Sequence, residues 1–99
     1  MTGSNTNAVR IADLLSPGPE NGITLRELEQ LTGMDNRTIR KQIERERRAG
    51  ALILSDNQNG YFLASDSAEA KRFTQSMRHR AREILRTVRA IEVSAEQEA

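Results

Sequence analysis

The stretch GMDNRTIRKQIERERRAG, Gly33 to Gly50, decides how the rest of the chain is read. Between its two glycines stand six Arg or Lys residues and three acids. Asp35 suits the N-cap of a helix and Gly50 breaks it, so a helix is expected over 35–49. On a wheel of about 100° per residue with Arg37 at the origin, Lys41, Arg45 and Arg48 fall within about 80°, whereas Ile39 and Ile43 lie at about 200° and about 240°. One side is basic and the other apolar. Arg40, Glu44 and Arg48 alternate in sign at i, i+4 and i+8, as on an ion-paired surface helix. Arg37, Lys41 and Arg45 share that spacing with no acid between them, so the isolated helix loses roughly a few tenths of a kcal/mol per like-charged pair. An external polyanion would offset that repulsion. Glu46 falls on the apolar side; because a buried lone carboxylate is costly, it is expected to be partly exposed or paired with an Arg.

Upstream, residues 1–7 are polar and are expected to be disordered, up to a helix cap near Asn7. Ala8, Ile11, Ala12 and Leu15 recur at helical spacing, which predicts a short first helix stopped by Ser16-Pro17-Gly18-Pro19. Ile23-Thr24 suits only a stub of strand. Thr24 and Glu27 have the spacing of a capping box for a second helix whose Leu25, Leu28 and Leu31 face inward. Gly33 is placed to end that helix in a left-handed conformation, with Met34 making an apolar contact across the turn.

Downstream of Gly50, Ala51–Leu54 and Tyr61–Leu63 read as two short strands joined by a turn over Asp56–Gly60. Both strands are apolar at successive positions, so both faces should be covered. A long final helix is expected over 66–93, capped by Asp66 or Ser67 and followed by a frayed acidic tail at 94–99. In it Met77, Ala81, Ile84, Val88, Ile91 and Ala95 recur at spacings alternating four and three, a short heptad seam. Its length exceeds what a small domain covers, so homodimerisation through Met77, Ala81, Ile84, Val88 and Ile91 is expected.

The chain of 99 residues carries only +1 net charge, but its charge is segregated. Residues 35–49 hold six basic against three acidic side chains and residues 67–93 hold seven against three, leaving the remainder acidic. No cysteine and a single histidine, His79, leave nothing for a zinc ribbon, a thiol nucleophile or a multi-histidine metal centre. No glycine-rich phosphate loop or nucleophile-and-base set is present, so no enzyme activity is expected, and no cofactor, metal or small-molecule ligand. With no apolar run long enough to cross a membrane and no signal-like N-terminus, a cytoplasmic protein without a membrane partner is expected.

The order of elements, three helices with a tight glycine turn before the third and then a hairpin, resembles the winged helix-turn-helix DNA-binding family over roughly Ala8 to Ala64. LRELEQLTGMDNRTIRKQI is similar to that family's two-helix pattern, and NGYFLA to the Gly-Tyr-x-Leu strand closing the wing in the amino-terminal domain of the bifunctional biotin ligase and repressor. With its trailing basic helix the chain looks like small winged-helix proteins of phages and prophages. The fold class implied is mostly α with a small β-hairpin, as a winged domain at 8–64 plus a long basic C-terminal helix at 66–93. The implied function is sequence-specific binding of double-stranded DNA by a transcriptional regulator that inserts helix 35–49 in the major groove. Asn36, Arg37, Thr38, Arg40 and Lys41 would then meet bases, and Arg45 and Arg48 phosphates. Asn57, Gln58 and Asn59 are candidate wing contacts, although a plain turn fits them better. The alternative is a winged-helix adaptor that binds protein in a phage replication or packaging assembly.

Overall fold

In a computed structural model, residues 9–98 are described. Residues 1–8, on which the disordered segment, the cap near Asn7 and Ala8 were expected, lie outside them, as does Ala99. Among the described residues the architecture is mostly α, with one two-stranded antiparallel hairpin and a long C-terminal helix. The chain falls into two compact units that divide between Ser67 and Ala68.

The expected first helix is, among the described residues, a 3-10 turn at Ile11–Leu14, which still places Ile11 and Leu15 in the core. Its four residues lie between Arg10 and Leu15, both extended, so a second α-helical turn does not form there. A further 3-10 turn, Pro19–Asn21, opens with proline at its first position, where the missing N–H costs nothing.

Helix α1, Leu25–Thr32, starts where its capping box dictates: the Thr24 hydroxyl accepts from the Glu27 N–H at 3.1 Å and the Glu27 carboxylate accepts from the Thr24 N–H at 2.8 Å. It ends at Gly33, whose φ of +74° lets its N–H reach the Glu29 carbonyl. The Thr32 hydroxyl stiffens the exit, donating to the Leu28 carbonyl and accepting from the Met34 N–H. Leu28 is fully buried and Leu25 half-buried, but Leu31 is 62% exposed, contrary to expectation. Leu25 and Leu31 flank Leu28 on opposite sides of the wheel, and the core lies on the Leu25 side.

Helix α2, Asn36–Arg48, is capped by Asp35, whose carboxylate accepts from the Thr38 N–H at 2.8 Å. It buries Ile39, Ile43 and Glu46. Strands β1, Ile53–Asp56, and β2, Gly60–Leu63, pair with Leu54 opposite Phe62 and Asp56 opposite Gly60. The hairpin is therefore shifted from expectation: Ala51 and Leu52 precede β1, Leu52 stays exposed, and the connection shortens to Asn57–Asn59. A three-residue loop followed by a left-handed glycine is a favoured hairpin geometry, and Gly60 supplies it at φ +83°. Both hairpin faces are buried, by Ile53 in the main core and by Leu54 and Phe62 across from it. The expected strand stub appears at Ile23, which exchanges two 2.8 Å hydrogen bonds with Tyr61 along the free edge of β2.

Ile11, Leu15, Leu28, Ile39, Ile43 and Ile53 make one core, against which Tyr61 and Leu63 of β2 pack half-buried. So small a core leaves little reserve, because truncating one such side chain to alanine costs about 2–5 kcal/mol. Helix α3, Ser67–Glu98, is 32 residues long and buries none of them. It includes Ser94–Glu98, correcting the expected frayed tail: Ala95, Glu96, Gln97 and Glu98 are strong helix formers and outweigh the unfavourable acids at the helix end. No helix among the described residues is long and apolar enough to cross a membrane.

Candidate nucleic-acid interface

Every residue expected to contact DNA from α2 is exposed: Asn36, Arg37, Thr38, Arg40, Lys41, Arg45 and Arg48. Their neutralisation is uneven. Among the described residues, Arg37, Arg40 and Lys41 make no ion pair. Arg48 sits 3.8 Å from Glu44, which is also 3.7 Å from Arg47. One carboxylate is thus shared by two guanidinium groups near the C-terminal end of α2, whereas the cations of the N-terminal turns make no such ion pair among the described residues.

The α2 N-terminus is not an open anion site, because its own Asp35 occupies it. Bonds from the Thr38 hydroxyl and the Thr38 N–H, with the nearby Arg37 charge, hold the Asp35 carboxyl below the usual carboxylate range. An incoming phosphate would meet a fixed negative charge there, so any contact at this end falls to side chains of Arg37, Arg40 and Lys41 rather than to helix N–H groups.

Glu46 corrects the sequence expectation. It is only 6% exposed, so the expected partial exposure is not found, and its carboxylate is satisfied chiefly by backbone. Its Oε2 accepts from the Ile11 N–H at 2.7 Å and its Oε1 from the Ala12 N–H at 2.8 Å, capping the first 3-10 turn from a distant helix. Gln42 completes the shell, donating to Glu46 Oε2 at 2.8 Å while its carbonyl accepts from Arg45 at 2.7 Å. The relay Arg45 to Gln42 to Glu46 orders an exposed guanidinium by fastening it to the buried face of the same helix. Gln42 was not singled out from the sequence, although its spacing of four residues from Glu46 and three from Arg45 carries the signal. Arg47 is likewise structural: it donates to the Ile53 carbonyl at 2.8 Å and ties α2 to β1.

In the hairpin loop, Asn57 and Gln58 are exposed and Asn59 is half-buried. Asp56 organises the turn, accepting from the Gln58 N–H at 3.0 Å, the Asn59 N–H at 2.6 Å and the Asn59 side-chain amide at 2.9 Å. Bonds from the Asn59 side chain and the Asn59 N–H, then the Gln58 N–H, lower the Asp56 pKa. Asn59 is committed to the turn, and the backbone carbonyl of Asn59 lies against Gly22 so closely that no side chain fits there. Of the candidate wing contacts only Asn57 and Gln58 project freely.

On α3 the seam residues Met77, Ala81, Ile84, Val88 and Ile91 are all exposed, as is His79. No protein-family model, no curated protein and no solved structure matches this chain.

Proposed function

We propose that this chain is a sequence-specific, double-stranded-DNA-binding protein of the winged helix-turn-helix type, laying α2 in the major groove and acting as a small transcriptional regulator of phage or prophage character. One observation carries the reading: Arg37, Arg40 and Lys41 crowd the exposed first turns of α2 and make no ion pair among the described residues. Cations held at that density on one surface gain most from a partner dense in phosphate, and Arg at the start of such a helix is suited to paired hydrogen bonds with guanine. The order of α1, a left-handed glycine turn, α2 and a hairpin supports the same reading. Homodimerisation through α3 would supply the second half-site contact of a pseudo-palindromic site.

Selection of bound sites from random duplex DNA, then titration of the winning site with Arg37→Ala and Lys41→Ala proteins, tests it. Undiminished binding by both variants overturns it. The exposed apolar stripe of α3 favours a second reading, a winged-helix adaptor for another protein. A protein partner retained through nuclease and high salt, with no site selected from DNA, would establish that reading instead.

A further inference from the structure

The apolar stripe of α3 is exposed along its whole length: Ile84 is 59% accessible and Ile91 63%. We infer that its occupant is a second copy of α3 running antiparallel, in the register that sets Ile84 against Val88 of the partner subunit. The inference rests on the reading of α3 as the homodimer element and adds its direction and register.

Four features of the helix select that arrangement. The first is volume. In the antiparallel register Met77 meets an alanine (95), Ala81 meets an isoleucine (91) and Ile84 meets a valine (88), each layer occurring twice by symmetry. Every layer then joins a larger side chain to a smaller one, as evenly filled interfaces require. A parallel dimer in register would alternate thick Met, Ile and Val layers with thin Ala81 and Ala95 layers and leave voids. Slipping the antiparallel pair by one heptad strands two of the six seam residues.

Second, the helix surface has a depression lined by Thr87, Ala90, Ile91, Ser94, Ala95 and Glu98. Ile91, Ser94, Ala95 and Glu98 among them are the positions that receive the knob opposite Ala95, and Thr87 and Ala90 extend the depression to one side of the seam. In the antiparallel register that knob is a methionine (77), long and flexible enough to fill it; in a parallel dimer it is a second alanine. Third, Leu85 is the most exposed of the large apolar side chains at 65%, and it lies one residue off the seam. Antiparallel pairing brings the two copies of Leu85 together beside the two-fold axis, whereas parallel pairing sets Leu85 against an arginine (80). Fourth is charge. Arg78 and Glu92 make no ion pair among the described residues. They occupy equivalent flanking positions either side of the helix centre, so antiparallel copies form two Arg78-to-Glu92 pairs and lay the basic half of each helix beside the acidic end of the other. Parallel copies stack their arginines at the same level.

This geometry spaces the two α3 starts about 57 Å apart at 1.5 Å per residue.

The test uses the full chain, which has no cysteine of its own. Sedimentation equilibrium should show a monomer–dimer equilibrium. Spin labels on Gln75→Cys should be separated by about 33 Å along the helix axis, the rise of 22 residues. Arg78→Glu or Glu92→Arg alone should weaken dimerisation about fivefold, and the two together should restore it, with helix content by circular dichroism unchanged. A dimer whose labels lie at the distance of side-by-side helices, or whose double reversal fails to recover, overturns the antiparallel register alone. A monomer at every concentration overturns self-association as well. Neither measurement involves DNA, so both outcomes are separate from the fate of the DNA-binding proposal.

Discussion

The Glu46 carboxylate accepts the backbone N–H of Ile11 at 2.7 Å across 35 residues of sequence. With the neighbouring bond from Ala12, this makes one acidic side chain of α2 the cap of a 3-10 turn that contributes Ile11 and Leu15 to the core. The bond couples the segment ahead of α1 to the helix that carries the cationic surface.

Glu46→Ala removes the acceptor of both N–H groups and leaves a void between the first turn and α2. An orphaned buried donor costs roughly 1–3 kcal/mol, so a loss of about 3 kcal/mol is expected for the variant. Glu46→Gln offers one oxygen and turns an NH2 toward the other donor, and its loss should be smaller but real. Equilibrium urea denaturation checks the order; an alanine variant within 0.5 kcal/mol of the parent would show that the cap contributes nothing.

Gly33 and Gly60 both adopt left-handed backbone, at φ +74° and +83°, but only Gly60 is crowded. Nothing stands within 4 Å of a Cβ placed at Gly33, whereas one at Gly60 would lie 2.4 Å from the Ile23 carbonyl oxygen. Gly33→Ala should cost about 1–2 kcal/mol of conformational strain. Gly60→Ala should cost more, because it also parts β2 from Ile23. Thermal unfolding of the two variants side by side tests the ranking, and equal losses would refute it.

Local chemistry made most of these elements legible before any coordinates. Thr24 with Glu27, Gly33, Asp35 and Gly50 each marked a helix end because capping depends on residues adjacent in sequence. The wheel of α2 placed Ile39, Ile43 and Glu46 on one side, and all three are buried. What satisfies Glu46 was not legible, since its partners are backbone N–H groups of a distant segment and backbone has no letter in the sequence. Leu31 and Leu52 were misplaced for a related reason: apolar spacing identifies a face but not how far the core extends across it. The cationic residues of α2 were visible as a stripe, but their division into free and paired members required the positions of Glu44 and Gln42.

Glu27, Asp35 and Asp56 all have carboxyl groups held below their unfolded values of 4.5 and 3.8. The cause for Glu27 is the Thr24 N–H and then the Thr24 hydroxyl. A lowered folded pKa means that the unfolded chain binds protons more readily, so these groups stabilise the fold fully above their unfolded values. That stabilisation is lost as pH falls through the lower folded values. Urea midpoints should therefore decline below about pH 4.5, and Glu27→Gln or Asp35→Asn should flatten the decline. An acid limb unchanged in both variants would assign it to other groups.

Arg37 and Lys41 differ from Arg48 in what they must give up to meet DNA. Arg48 lies 3.8 Å from Glu44 and would have to exchange that carboxylate for a phosphate, while Arg37 and Lys41 have no ion pair among the described residues to give up. Arg37→Ala and Lys41→Ala should each weaken binding to the selected site by about 1–3 kcal/mol where the side chain reads a base. Arg48→Ala should act more weakly and equally on selected and scrambled duplexes, lowering the salt slope by about one. Glu44→Gln should tighten binding to both duplexes, since it removes a negative charge from the cationic face and releases Arg48. All four positions are exposed, so folding stability should move by no more than about 0.5 kcal/mol, and fluorescence anisotropy across a salt series separates the cases. Equal losses from Arg37→Ala and Arg48→Ala on both duplexes would reduce α2 to a phosphate-binding surface without base readout; a Glu44→Gln protein that binds no better would show that the shared ion pair does not hold Arg48 back.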